Sequence, residues 1–225
     1  MCQRFSLTAG LDELVRQFRI GHVAAPYVPK YNISPTQNVP VVYEYRGQRI
    51  LEDHRWGLMP YWSKDAVNAD FLGIGGRSIF RRIVSKQRCV IPCSGFYGWL
   101  SEGKVHQPIR FVFRDRRTFA VPGFYEIWTR AYGGEELRSF TMATTAPNRL
   151  VDGYSDRMPA MLDEEGIDAW LSESNVEYRS IYHHVRELPE DEMEMYPVGG
   201  HVNDRSKEAP ECAEPIQPAY AALRR

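Results

Sequence analysis

Residues 88–145 read RCVIPCSGFYGWLSEGKVHQPIRFVFRDRRTFAVPGFYEIWTRAYGGEELRSFTMATT, and this stretch decides the fold. It holds five runs rich in Val, Ile, Phe, Tyr and Thr: Cys89 to Pro92, Phe96 to Leu100, Ile109 to Phe113, Phe119 to Trp128 and Leu137 to Thr145. Short apolar runs with β-branched and aromatic enrichment read as strands. Gly103 and the pair Gly133-Gly134 mark turns between them. The centre of the chain is therefore sheet.

On the N-terminal side, Leu11, Leu14, Val15 and Phe18 repeat at helical spacing. A helix from Leu11 to Arg19 with one buried face is predicted, with Gly21 as its stop. Val39 to Tyr45 reads as a strand that turns at Gly47 into Ile50 and Leu51, a hairpin leading to His54-Arg55-Trp56-Gly57. Ile79, Phe80, Ile83 and Val84 again space as a helix, with Arg77, Arg81 and Arg82 on or near it. A further helix over Glu164 to Leu171 buries Ile167, Trp170 and Leu171. The pattern predicts an α+β fold: a single domain over 1–225 built on a strongly curved, barrel-like mixed sheet with peripheral helices. No stretch reads as a linker.

With 225 residues the chain is long enough to bury a full core, and its net charge of −1 does not advertise a duplex-gripping basic face. Charge is nevertheless unevenly spread. Arg77, Arg81, Arg82, Lys86 and Arg88 form a basic group, whereas Glu187, Glu190, Asp191, Glu192 and Glu194 cluster late. Single-stranded nucleic acid needs only a local groove with stacking or wedging side chains. No run nears the roughly 18 apolar residues of a membrane span, and no signal-like N-terminus is present, so a cytoplasmic protein is expected. Of the four cysteines, Cys89, Cys93 and Cys212 show no paired or metal-ligand spacing and read as buried thiols. No metal and no cofactor are expected.

The fourth cysteine is different. Cys2 stands directly behind Met1, so removal of Met1 leaves a thiol and the chain's α-amine on adjacent carbons. An α-amine titrates near about 8 and a cysteine thiol near about 8.5, so both are partly reactive at neutral pH. The amine condenses with an aldehyde to an imine, and the thiolate closes on the same carbon to give a five-membered thiazolidine.

Several polar turns and sites follow in order along the chain. Tyr31-Asn32-Ile33-Ser34-Pro35-Thr36-Gln37 reads as an exposed polar turn, and Trp56-Gly57-Leu58-Met59-Pro60-Tyr61-Trp62 as an aromatic loop. Arg88-Cys89-Val90-Ile91-Pro92 runs into Gly95-Phe96-Tyr97-Gly98-Trp99. Thr144-Thr145-Ala146-Pro147-Asn148, Ser155-Asp156-Arg157-Met158-Pro159 and His201-Val202-Asn203 complete the series. In this order, over 1–216, the chain resembles the SRAP family, the SOS response-associated peptidases, also called abasic site processing proteins.

The resemblance implies an α+β fold whose groove holds single-stranded DNA, bent at the lesion, and a cysteine at position 2 that captures the ring-opened abasic aldehyde. It implies catalytic roles for Cys2 and Asn68. It also implies DNA contacts through Arg4, Pro35, Thr36, Trp56, Met59, Arg77, Arg81, Thr144, Arg157 and Met158. It further implies abasic single-stranded DNA as the partner, with the protein expected on the nucleoid when bound.

Three matched positions depart from the family pattern, and Gln3 stands where glycine is usual. Asp70 replaces an arginine expected to meet phosphate, and a carboxylate there repels DNA. Gly98 replaces the glutamate of Gly-Phe-Tyr-Glu-Trp, the implied proton shuttle. Ser155 replaces the histidine of His-Asp-Arg-Met-Pro, and a serine hydroxyl is a poor acid or base near neutral pH. Glu126, His183 and His184 are weak substitutes, because neither their segments nor their register match the lost groups. The expected activity is slow covalent trapping after Met1 removal, with hydrolase, peptidase or lyase character. A non-catalytic single-stranded DNA or partner-binding homologue is the alternative, and a cysteine peptidase acting on other proteins ranks third.

Overall fold

The computed structural model describes residues 3–59, 65–74, 83–103, 105–129, 136–174 and 181–217. The strands are β1 (Phe5–Leu7), β2 (His22–Val23), β3 (Lys30–Ile33), β4 (Asn38–Tyr45), β5 (Gln48–Trp56) and β6 (Asn68–Asp70). The central run follows as β7 (Arg88–Cys93), β8 (Gly95–Glu102), β9 (Val105–Phe113), β10 (Phe119–Thr129) and β11 (Glu136–Thr145). Short strands β12 (Met158–Pro159), β13 (Met161–Leu162), β14 (Val185–Arg186) and β15 (Met193–Pro197) complete the set.

Five strands close on themselves. Pairing runs β11-β5-β4-β7-β10, and β10 returns to β11 through a seven-residue register from Gly123↔Met142 to Thr129↔Glu136. The sheet is mixed because β5 and β11 run parallel while the other barrel pairs are antiparallel. Closure removes sheet edges. It also forces backbones together, and at Gly123 an added Cβ would sit 2.3 Å from the Ile91 Cδ1 and 3.2 Å from the Cys89 Sγ. The β4–β5 hairpin turns through Arg46 (φ 52°) and Gly47 (φ 73°), a two-residue turn whose twist matches the strands it joins.

A second, open sheet has the order β15-β9-β8-β1-β3. The single residue Ser94 carries the chain from β7 of the barrel into β8. It is fixed there by Ser94 N donating to Ser6 O (2.8 Å) and by Ser94 Oγ accepting from Thr8 N (3.0 Å). Phe5 meets Trp56 edge-to-face at 5.1 Å between ring centroids, joining the two sheets in one core.

Helices cover the outside. The helix Leu11–Phe18 buries Leu14 and Phe18. It ends at Arg19 in the left-handed region, two residues before the predicted Gly21 stop. The helix Glu164–Leu171 is capped by Asp163, which accepts from Gly166 N at 2.7 Å. Its Trp170 packs on Phe124 and donates to Cys89 O, so every residue of β7 is buried.

Two sequence expectations need correction. Tyr31 to Ile33 belongs to a strand, not to a turn, because the Glu208 carboxylate and the buried Asn32 amide tie it to residues 204–208. The turn proper is confined to residues 34–37. Arg88 is buried and does not join a cationic face.

Candidate functional site

β1 lies antiparallel to β8 in the register Phe5↔Phe96, and Tyr97 N donates to Arg4 O at 3.0 Å. The next residue toward the terminus, Gln3, is exposed and lines a depression of about 620 Å³. The depression is walled by Trp99, Ser101 and His106 of the β8–β9 hairpin, by Tyr154, Ser155 and Asp156, and by Asn203. Trp99 fixes two of these walls together: its backbone N donates to Tyr154 O (2.9 Å) and its indole to Asn203 Oδ1 (2.7 Å). Arg4 is buried and donates to Gln3 O and Val202 O, which places it as a clamp on the chain's entry rather than a free cation. Burial lowers its pKa, with Arg205 acting in the same direction.

Cys2, Arg77 and Arg81 lie outside the described residues. The three cysteines within them, Cys89, Cys93 and Cys212, are free and buried. Burial pushes the Cys89 thiol far above its ordinary range and raises Cys212, so neither is a ready nucleophile.

The departures at 98 and 155 have a local structural reading. A Cβ at Gly98 would lie 3.0 Å from Tyr154 Cβ, 3.0 Å from Tyr154 O and 3.1 Å from Phe111 Cε2. The space a side chain at 98 needs is thus held by Tyr154, whose ring also meets Phe111 edge-to-face at 5.7 Å. Ser155 Oγ donates to Arg157 O at 2.7 Å, a turn-forming bond that commits its proton locally.

Asp70 has a partner. It sits at the end of β6, which pairs parallel with β11 in the register Met142↔Asn68 and Thr144↔Asp70. Its Oδ1 accepts from Arg157 Nη2 at 2.8 Å, while Arg157 Nε donates to Thr144 Oγ1 (2.9 Å) and Nη2 to Thr144 O (2.6 Å). Asp70 is thus held in an ion pair with the arginine. Asn68 is buried on the same short strand.

Among the residues expected to meet DNA, Thr36 is exposed, and Met59 and Arg157 are partly exposed. Thr36 adopts φ 79° and its N donates to Trp56 O at 2.8 Å. Four others are corrected by burial. Trp56, Thr144 and Met158 have no exposed surface and Pro35 is buried, so they offer DNA no direct contact. Trp56 instead stacks on Phe140, and its indole donates to Val67 O at 2.9 Å.

Glu126 stands opposite Ser139 on the barrel, and His184 faces Asp163 beside the helix Glu164–Leu171, so neither lines the depression. His183 does not line it either. Of the residues that do, Asp156 and Asn203 stand in segments the sequence already marked, whereas Ser101, His106 and Tyr154 were passed over. A usable signal existed for His106. The turn at Gly103 sets Ser101 opposite His106 in the hairpin register, on the same face as Trp99. Among the described residues no cluster of His, Cys, Asp and Glu has metal-ligand geometry.

Comparison with known proteins follows the same lines. The family model described as SOS response associated peptidase (SRAP) matches residues 1–205. The chain is 32% identical over 223 residues to the abasic site processing protein YoqW of Bacillus subtilis, covering 95% of this chain and 99% of that one. To the abasic site processing protein HMCES of Gallus gallus it is 28% identical over 228 residues, covering 85% of this chain and 67% of that one. A solved structure of a protein from Bacteroides thetaiotaomicron superposes with a TM-score of 0.78 at 22% identity, covering 96% of this chain and all of that one, which speaks for the fold. With the family pattern matched over most of its length, and identity at this level to a full-length relative, the chain belongs to the SOS response-associated peptidase (SRAP) family.

Proposed function

We propose that this chain processes abasic sites in single-stranded DNA by capturing the aldehyde on Cys2 once Met1 has been removed, and that it does so slowly. One observation carries the reading. The three described cysteines are sealed in the core, and the remaining one, Cys2, adjoins a residue that lines an open polar depression. The names of the relatives, abasic site processing proteins, supply the substrate class.

The reaction joins the α-amine and the thiol to one aldehyde carbon and releases water, so it needs no redox partner. It requires a base for the thiol and an acid for the departing hydroxyl. Neither Gly98 nor Ser155 supplies these, and each such group is worth about 10² to 10⁴ in rate. Removal of Met1 is itself hydrolysis of a peptide bond and calls on the same assistance, which gives the protein its peptidase-like aspect. Asn68, buried on β6 and not among the residues that line the depression, is expected to orient the opened sugar or the amine, with Arg157, Thr36 and Met59 reaching the strand.

Intact-mass measurement before and after incubation with a single strand carrying one abasic site tests this. The expected result is a chain lacking Met1 that gains the mass of the oligonucleotide over hours, and no gain for Cys2→Ala. A chain that keeps Met1 and forms no adduct defeats the covalent reading. The packing of Tyr154 into the space beside Gly98 favours a second reading, a non-covalent binder of single strands. Under it Cys2→Ala binds as the parent does, and neither forms an adduct.

A further inference from the structure

A strap of residues 202–208 joins the depression to the turn at residues 34–37. At one end Asn203 lines the depression and accepts from the Trp99 indole, while Val202 O accepts from the buried Arg4 Nε at 3.4 Å. Arg205 follows within about 7 Å of Asn203 between α-carbons, and its carbonyl oxygen accepts from Gln37 Nε2 at 3.4 Å. The Asn32 amide donates to Asp204 O (2.8 Å) and Lys207 O (2.9 Å), and Ser206 N and Oγ donate to Asp204 Oδ1 (2.9 and 2.7 Å). The backbone on both sides of Arg205 is therefore fixed.

Its side chain is not. Arg205 is exposed, and its guanidinium makes no hydrogen bond or ion pair among the described residues. The adjacent carboxylates are committed elsewhere, Asp204 to Ser206 and Glu208 to the backbone N–H groups of Tyr31 and Asn32. Arg157 differs, with its guanidinium bonded to Asp70 and Thr144. Burial first and Arg205 second lower the Arg4 pKa, which marks the two cations as neighbours. In the turn that holds Arg205, the exposed Thr36 has φ 79°, a costly conformation for a β-branched residue. Thr36 N donating to Trp56 O and Ser34 N donating to Gln37 Oε1 keep it there. Strain held in place by its surroundings clusters where a chain meets its ligand.

We propose that Arg205 and the Thr36 turn form a phosphate-binding shelf along which the backbone of a single DNA strand leaves the depression. The inference rests on the proposed function for its partner, single-stranded DNA. The guanidinium fork matches two phosphate oxygens and carries the charge that draws them, and the Thr36 hydroxyl offers a neutral contact beside it. Gln37 acts as the positioning residue, since one side-chain amide holds both Arg205 O and Ser34 N. Phosphate contacts carry no base information, so the shelf sets the path of the strand without selecting its sequence.

The test titrates the full chain by fluorescence anisotropy with labelled single strands that carry one tetrahydrofuran abasic analogue, which has no aldehyde and forms no adduct. Strands of two base sequences are measured at several salt concentrations. Arg205→Gln is expected to weaken binding about fivefold at about 0.1 M salt and to flatten the log–log salt dependence by about 0.7, one phosphate contact on a single strand. The loss should be equal for both sequences. Arg205→Lys is expected to keep the parent's slope, because the charge remains. Arg46→Gln removes an exposed arginine beyond the far end of β4, about 24 Å along the strand from Asn38, and is expected to bind as the parent does. Parent-like affinity and slope in Arg205→Gln overturn the inference and leave single-strand binding standing. An equal loss in Arg46→Gln, or a slope that falls as far in Arg205→Lys as in Arg205→Gln, overturns it too. A parent that binds neither strand defeats the proposed function and this inference with it.

Discussion

At the scale of single residues, the pair Asp70 and Arg157 shows how one carboxylate can engage a neighbouring cation. The Arg157 side chain is three-quarters buried and its hydrogen bonds go to Thr144 and to Asp70, so under the proposed function an incoming phosphate would compete with an internal carboxylate. An ion pair of this partly exposed kind is worth about 1 kcal/mol or less, small enough for DNA to displace at a cost in affinity. Asp70→Asn is accordingly expected to tighten binding of a single strand by roughly three- to tenfold at low salt. It should also steepen the log–log salt dependence by about 0.7, the increment of one phosphate contact on a single strand. Anisotropy titrations at several salt concentrations read both quantities, and unchanged affinity with an unchanged slope removes Asp70 as a competitor. The carboxylate at 70 was visible in the sequence, and its like-charge effect on DNA follows from chemistry alone. Its grip on Arg157 was not visible, because the two residues meet only through the parallel pairing of β6 with β11. The same holds at Gly98. The missing carboxylate is legible in the chain, whereas the filling of its space by Tyr154 depends on a loop far away in sequence.

At the scale of elements, the long strands and the helix Glu164–Leu171 were legible because their residues carry their own pattern. The two-residue strands were not. β12 and β13 exist through pairing with β11 and β10, and β14 through pairing with β13, and pairing leaves little trace in a pair of residues. Arg88 was misread for a related reason, since a cluster of basic residues along the chain says nothing of which one turns inward. Its Nε donates to Trp170 O, its Nη2 to Ser172 O and its Nη1 to Val84 O. One guanidinium thereby satisfies the carbonyl end of the helix Glu164–Leu171 and that of helical residues 83–86. Replacement by Met leaves three carbonyls without this donor, and charge-assisted hydrogen bonds contribute about 1.5–3 kcal/mol each. Because such losses are not additive, Arg88→Met is expected to cost about 3–5 kcal/mol in urea unfolding. Arg88→Lys should recover less than half of that, since an ammonium lacks the planar fork. A variant within about 1 kcal/mol of the parent removes Arg88 as the pin between the two helical segments.

At the scale of the whole molecule, closure of the barrel gathers polar side chains from four strands into its wall. Glu52 of β5 accepts from Tyr43 OH (2.7 Å) and Arg138 Nη1 (2.5 Å), and lies 3.3 Å from Nε2 of the fully buried His54. The Tyr125 ring of β10 packs on Tyr43 and His54. These bonds, that of His54 foremost, hold Glu52 down to about 2 against the opposing effect of burial. Burial likewise lowers His54, against the pull of Glu52. Both folded values lie below the unfolded ones, so in the acidic range the unfolded chain binds more protons and stability is lost as pH falls. The His54 contribution is complete above about pH 6.5 and is lost from there downward. That of Glu52 is complete above about pH 4.5 and is lost as pH falls toward about 2. Asp53, raised by its burial, works weakly in the opposite sense. A shift of this size corresponds to about 3 kcal/mol for Glu52 before solvent screening, which a quarter-exposed side chain reduces. Glu52→Gln is therefore expected to lower unfolding free energy at pH 7 by about 1–3 kcal/mol. Its stability profile should also be flatter than the parent's between pH 4.5 and 2.5. Urea denaturation across pH 2.5 to 7 measures both profiles, and parallel curves exclude Glu52 as the main acid-sensitive group of the barrel wall.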